Sequence, residues 1–297
     1  MSVEHGEARN DRAGQVTAET VVYRPPAVLR PFVERYVGYR YLGYEPGVHL
    51  GMPGRHLTVI ISFDDPLTLA MDPTVDDTTS DHDGMVSGLH DRVVEIRHNG
   101  KQHGIQLDVT PAGARALFGM PAGVLVCAAI DLSDTWSPSL AAELYERTAT
   151  ATWGERFAVL DEALLANLSA NLPFASSARV AATGAWRMLT ASDGAAKVGD
   201  IAAELGWSRR HLTDQFTAEY GLPPKAVASI LRFERSLSLM KRPDRARLGE
   251  IAAACGYSDQ AHMNHDWHRF AGVSPTTWLT NEQLPFVQDE SDSESAE

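Results

Sequence analysis

The sequence predicts an α+β chain, a β-rich N-terminal domain followed by an all-α double helix-turn-helix domain. Two observations carry this. From Tyr23 to about Val109, short apolar runs rich in β-branched residues alternate with clusters of turn residues. Further on, the chain repeats itself: Lys197 to Pro224 returns as Arg247 to Pro275, and Gly199, Ile201, Ala202, Ala203, Gly206 and Ser208 recur as Gly249, Ile251, Ala252, Ala253, Gly256 and Ser258. With one extra residue placed after Ser258, His211, Gly221 and Pro224 recur as His262, Gly272 and Pro275.

Residues 1–20 are polar and expected to be disordered. Leu57 to Phe63 (LTVIISF) is a strand closed by Asp64, Asp65 and Pro66. Met71 to Gly84, crowded with Asp and Thr, is expected to be a solvent loop. Val93 to Ile96 and Ile105 to Val109 flank Asn99-Gly100 and suggest a hairpin with a loop longer than two residues. Thr110-Pro111 then opens a short helix, with Thr as N-cap, Pro at the first helical position and Gly119 as the stop. Ser139 to Arg147 and Gly154 to Leu172 read as helices, the second through Phe157, Leu160, Leu164, Leu165 and Leu168. Their apolar stripes suggest a dimer contact. The sensor or dimerisation domain is placed at 21–172, with a boundary near Leu172-Pro173. A reader domain follows at 173–284, and an acidic tail at 285–297 is expected to be disordered.

Each repeat reads as helix, glycine turn, helix. Val198, Ile201, Ala202 and Leu205 form one apolar face, matched by Leu248, Ile251, Ala252 and Cys255. Gly206 and Gly256 end those helices where only glycine accepts a positive φ cheaply, and Ser208 and Ser258 are expected to cap the helices that follow. This is the spacing of a helix-turn-helix, whose second helix presents its N-terminal half to the DNA major groove. Within the second helices Leu212 and Phe216, then Met263, Trp267 and Phe270, are expected to be buried. The candidate DNA contacts are therefore Arg209, Arg210, Thr213 and Asp214 in the first helix and Gln260, Ala261, Asn264 and His265 in the second, with Asp259 also outward. Arg bonds guanine bidentately, Gln and Asn bond adenine, and Asp accepts from cytosine N4. Pro224 to about Lys241, with Ile230, Phe233, Leu237 and Met240 at helical spacing, is a long helix that would fix the distance between the two readers. Its Arg232, Arg235, Lys241 and the following Arg242 either touch phosphate or decorate that helix.

Bulk properties agree with a two-domain globular chain: 297 residues, 44% hydrophobic and 22% charged. The longest apolar run, Val124 to Ile130, is far short of the roughly 18 residues that suggest a membrane span. The polar N-terminus has no signal-peptide core, so a cytoplasmic protein is expected. The net charge of −13 looks wrong for a nucleic-acid partner, but it is uneven. Residues 1–196 carry 15 basic and 24 acidic side chains, residues 197–279 carry 11 and 9, and residues 280–297 carry none and 6. The repeat is the only net-basic region. Neither Cys127 nor Cys255 sits in a metal-ligand spacing, and Cys255 fills the core slot of Leu205.

In the second copy, Glu250-Ile251-Ala252, Gly256-Tyr257-Ser258-Asp259-Gln260, a later aromatic and Gly272-Val273-Ser274-Pro275 resemble the signature of the AraC/XylS family of transcriptional regulators. The resemblance covers roughly residues 175–281. It implies recognition helices in successive major grooves, with base contacts at positions matching Arg210, Thr213, Asp214, Gln260, Ala261 and His265. The chain departs from the family pattern at Asp214, commonly basic or polar there, and at His265, often Arg. The N-terminal half resembles the cupin-like sensor domains fused to such readers, and the chain resembles a group of actinobacterial-type regulators through Gly88 to Arg92 (GLHDR), Gly104 to Ala122 and the terminal Leu284 to Asp289 (LPFVQD). Expected partners are double-stranded operator DNA, RNA polymerase, a small-molecule effector and a second copy of the chain.

For the effector, Tyr39 and Tyr41 share a strand face that either lines a pocket or forms a half-buried sheet surface, and Arg55-His56 either caps the pocket rim or is loop. No cofactor is expected. The histidines His262, His265 and His268 fall on a reader helix, and the N-terminal half has no HxH pair of the kind a metal-binding cupin carries. No nucleophile elbow or phosphate loop is present, so an enzyme is not expected. The runner-up reading is a cupin-type metal enzyme fused to a DNA reader. A DNA-repair protein is a third, disfavoured by the lack of a reactive-cysteine motif.

Overall fold

A computed structural model describes residues 4–5, 16–72, 79–170 and 177–281. The N-terminal half is two antiparallel sheets. One has seven strands: β1 (Glu4–His5), β2 (Thr17–Tyr23), β3 (Val33–Leu42), β5 (Leu57–Ser62), β8 (Gly84–Ser87), β10 (Gln102–Val109) and β11 (Ala129–Asp131), in the order β1-β2-β3-β10-β5-β8-β11. The other has four: β4 (Gly47–Gly51), β6 (Leu67–Ala70), β7 (Thr79–His82) and β9 (Val94–His98), in the order β4-β9-β6-β7.

Successive side chains alternate across a strand, so each strand of the large sheet serves two layers. On β10, Ile105, Leu107 and Val109 join the core shared with the helices, while Gln102 and Gln106 face a cavity between the sheets. On β3, the Tyr36 ring lies 6.1 Å from Phe157, whereas Tyr39 and Tyr41 lie on the cavity side. Ile60 and Met85 from the large sheet cluster with Leu67, Leu69 and Val94 around the small one. This double-sheet architecture is the one the cupin-like resemblance implies.

The helices α1 (Pro111–Phe118), α2 (Leu132–Thr135), α3 (Pro138–Thr148) and α4 (Trp153–Ala170) follow, with a 3-10 turn at Ala122–Leu125. Thr110 caps α1 and Gly119 ends it at φ 72°, as the sequence predicts. Helix α4 covers the outer face of the large sheet. Asp161 accepts hydrogen bonds from the Tyr23 and Tyr36 hydroxyls at 2.6 and 2.8 Å, and its stripe of Phe157, Leu160, Leu164 and Leu168 is buried. That stripe packs inside the chain.

Three expectations are corrected. Strand β2 starts at Thr17, inside the stretch expected to be disordered. The Met71 to Gly84 region contains β7, whose His82 is buried. Most tellingly, the strands around Asn99-Gly100 are not a hairpin: β9 pairs with β4 and β6, while β10 pairs with β3 and β5. Both edges of β10 are already taken, so the turn carries the chain from one sheet to the other. Gly100 does this at φ 94°, with its α-carbon so close to the Tyr44 carbonyl that a β-carbon would sit 2.1 Å from the oxygen.

The C-terminal half is all helix: α5 (Ser177–Ala191), α6 (Val198–Glu204), α7 (Arg209–Tyr220), α8 (Pro224–Lys241), α9 (Leu248–Ala254), α10 (Gln260–Ala271) and α11 (Pro275–Asn281). Leu212, Phe216, Met263, Trp267 and Phe270 are fully buried, as their spacing predicts. Burying a side chain of this size is worth about 1.5 to 3 kcal/mol. On α8, Ile230, Phe233, Leu237 and Met240 face the same core, and Ser236 Oγ accepts the Trp267 indole N–H at 2.9 Å. The boundary expected near Leu172-Pro173 and the acidic tail lie outside the described residues.

Candidate nucleic-acid interface and sheet cavity

The two reader helices are built alike and start differently. Gly206 and Gly256 adopt φ 71° and 76°, reversing the chain after α6 and α9. Ser208 caps α7, its hydroxyl accepting from the His211 N–H at 3.2 Å. In the second copy the cap is Asp259, not Ser258: Asp259 Oδ1 accepts from the His262 N–H at 2.7 Å. The extra residue is therefore absorbed in the turn, and Asp259 is a capping group rather than an outward one. Carboxylate caps also suit the positive end of the helix dipole.

Arg209, Arg210, Asp214, Gln260, Ala261 and His265 are all exposed at the start of the two helices. Arg210 is 93% exposed, and Asp214 lies one turn on at 4.0 Å. Two candidates are less open. The Thr213 hydroxyl donates to the Arg209 carbonyl at 2.8 Å, and Asn264 is half-buried with its Oδ1 shut away from solvent. Behind the readers, Arg232 bonds the Gly194 carbonyl at 2.8 Å and Arg235 pairs with Asp193, so both tie α8 to the end of α5. Arg242 is exposed at the end of α8.

Among the described residues, four ion pairs join the N-terminal half to this unit, reaching α7, α8, α10 and Asp193 beyond α5. Arg115 Nε and Nη2 donate to the two carboxylate oxygens of Glu219 at 2.7 and 2.8 Å. Arg55 Nε donates to Glu234 at 2.6 Å, and its Nη2 to Asp193 at 3.4 Å. Arg269 Nη2 donates to Asp91 at 3.3 Å. The turn at Ala122–Leu125 also lies directly on the end of α7: a β-carbon on Gly221, which caps α7 at φ 78°, would sit 2.7 Å from Val126 Cβ. All of these contacts fall away from the exposed residues at the starts of α7 and α10. Sequence reasoning missed them because partners lie 104 to 179 residues apart and carry no local pattern.

Between the sheets lies a cavity of about 70 Å³, walled by Tyr39, Tyr41, Met52, Ile60, Leu69 and Met85 among others. Tyr39 and Tyr41 stack at 5.6 Å. His56 is not in its wall; its Nε2 bonds Glu34 Oε2 at 2.6 Å. Burial alone would lower the His56 pKa, but the Glu34 hydrogen bond and the charges of Asp108, Glu34 and Glu234 raise it. The bond from His56 brings Glu34 down to about 2 against the opposing effect of burial, with the charges of His56, Arg55 and Arg35 helping. The cavity wall does connect to this region: Gln106 Nε2 donates to Asp108 Oδ1 at 2.9 Å, and Arg35 Nε donates to Asp108 Oδ2 at 2.6 Å.

Two capped helix-turn-helix units with exposed polar N-termini, held by one helix, define a DNA-binding protein. Residues 201–281 match the family model of a helix-turn-helix domain. Residues 201–281 are thus a helix-turn-helix domain, the unit that docks on DNA. No curated protein matches the chain. Among solved structures it is similar to ToxT from Vibrio cholerae, 12% identical over 89% of this chain and 98% of that one, TM-score 0.47. Unsaturated fatty acid bound ToxT from the same organism is 11% identical over 82% and 94%, TM-score 0.46. An AraC-type transcriptional regulator from Chromobacterium violaceum is 24% identical over 36% and 96%, TM-score 0.33.

Proposed function

We propose that this chain is an AraC-type transcriptional regulator that acts in the cytoplasm, without catalysis, as a single-chain switch: a small molecule held between the sheets of residues 21–172 changes how residues 173–284 present α7 and α10 to DNA. One observation carries the reading. The segment that closes the cavity also touches a reader, because His90 and Val94 line the cavity while Asp91, beside His90, bonds Arg269 on α10. A guest that shifts His90 or Val94 moves that contact, which gives the differential interaction a ligand needs to bias two states.

At the DNA, Arg210 and Gln260 read bases and Arg242 touches only phosphate. Exposure at the start of each reader helix supports the first two, and the position of Arg242 beyond α8 supports the third. Selection from a random DNA pool would supply the operator. Losing Arg210 should then cost about 1 to 3 kcal/mol and relax one base position, whereas Arg242→Ala should weaken all sequences alike and flatten the salt slope. An unchanged ratio of best-site to random-DNA affinity for Arg210→Ala would refute the base-reading role.

A further inference from the structure

The chemistry of the cavity wall goes further than its existence. We propose, resting on the sensing reading above, that the effector is an uncharged, mainly apolar small molecule bearing a hydrogen-bonding oxygen, and that the site rejects carboxylates and ammonium ions.

Among the described residues that line the cavity there is no Lys, Arg, Asp or Glu. Its polar groups are neutral amides and hydroxyls, including Gln102, Gln106, Thr58 and Ser87, together with His49 and His90. Desolvation lowers the pKa of His90 despite the opposing Arg92 carbonyl and Asp91, so this ring is neutral near pH 7. Its Nδ1 donates to the Arg92 carbonyl at 2.6 Å, which leaves Nε2 as an acceptor. Gln106 is held by its Nε2 bond to Asp108, which leaves Oε1 as an acceptor. A charged guest would lose its hydration and find no counterion, a penalty of several kcal/mol. A hydroxyl or carbonyl meets donors and acceptors of its own kind.

The outer basin next to the cavity points the same way. It holds about 460 Å³ and shares Tyr39, Leu67 and Gln102 with the cavity. Its walls carry Asp64, Asp65 and Asp81 against Arg97 and Lys101. Lys101 is already paired with Asp65 at 2.8 Å, and Arg97 lies 3.9 Å from Glu95. An amphiphile with its tail inside and a carboxylate outside would place that carboxylate among three others. Size matters as well: at about 70 Å³ the cavity is roughly half the volume that admits benzene in an engineered apolar site. A guest must therefore be small or push aside flexible Met52, Met71 and Met85, the side chains best suited to repack.

Calorimetric titration of the full chain at pH 7.5 with 1-hexanol, hexanoate and hexylammonium, matched in chain and differing in charge, tests this. Hexanol is expected to bind at least about tenfold more tightly than either ion. In Met71→Trp, which fills the cavity from its partly exposed rim, hexanol binding should be lost while the thermal unfolding transition remains. Hexanoate or hexylammonium binding as tightly as hexanol would overturn the neutral class and leave the sensing reading standing. Binding by none of the three would overturn both, and undiminished hexanol binding by a folded Met71→Trp would place the site elsewhere and overturn the proposal.

Discussion

Replacing Arg115 by Ala cuts the two hydrogen bonds that hold the sheet half to the first reader helix. The pair is bidentate at 2.7 and 2.8 Å, with Arg115 26% and Glu219 13% exposed. Exposed ion pairs contribute at most about 1 kcal/mol, while breaking a buried one costs about 3 to 5 because the survivor is left desolvated. Intermediate burial and ideal fork geometry place the Arg115 and Glu219 coupling at about 2 kcal/mol. A double-mutant cycle with Arg115→Ala, Glu219→Ala and both, followed by urea unfolding, measures it without counting each residue's other contacts. Each single variant should lose nearly as much as the double. A coupling below about 0.5 kcal/mol would mean that the pair is a screened surface contact, and that α7 is not held by the sheet half through it.

Three further outcomes follow from geometry already described. Gly206→Ala meets nothing within 4 Å and should cost only the left-handed backbone penalty, about 1 to 2 kcal/mol, whereas Gly221→Ala adds a clash with Val126 and should cost clearly more in the same unfolding assay. Asp259→Ala should cost about 1 kcal/mol as a lost cap and Ser258→Ala distinctly less, read from thermal midpoints; the reverse order would restore Ser258 as the cap. The raised pKa of His56 makes its contribution complete below its unfolded value of 6.5 and lost as pH climbs through the folded value. The lowered pKa of Glu34 makes its contribution complete above 4.5 and lost as pH falls towards 2. The pair is thus strongest between these limits, and His56→Gln should flatten the decline in stability as pH rises above 6.5. Because the Glu34 side chain is 58% exposed, solvent screening keeps the effect modest.

The reader half was legible because its signals are local. Glycine turns, caps and helical spacing act within a few residues, and even the misplaced cap was off by one position, since Ser and Asp both satisfy a helix start. The sheet half was legible as strands but not as topology. Asn99-Gly100 between two apolar runs carries the same local signal whether the strands pair or part, and only the occupied edges of β10 decide it. Tyr39 and Tyr41 do line the cavity, since strand alternation places them together, but His56 lies in a loop whose direction no alternation fixes. Long-range ion pairs such as Arg55 with Glu234 leave no trace in spacing at all.

Counting from the true caps, Ser208 and Asp259, puts the two twelve-residue reader helices in register. Arg209 then corresponds to Gln260, Arg210 to Ala261, Thr213 to Asn264 and Asp214 to His265. Where one helix extends a guanidinium, the other offers a methyl group suited to a thymine. Counterion release attends arginines at phosphates, so on the proposed reading nearly all of the recognition helices' salt-sensitive grip should belong to the first. As ionic strength rises, the complex should loosen from that end, leaving α10 as the last helix in its groove.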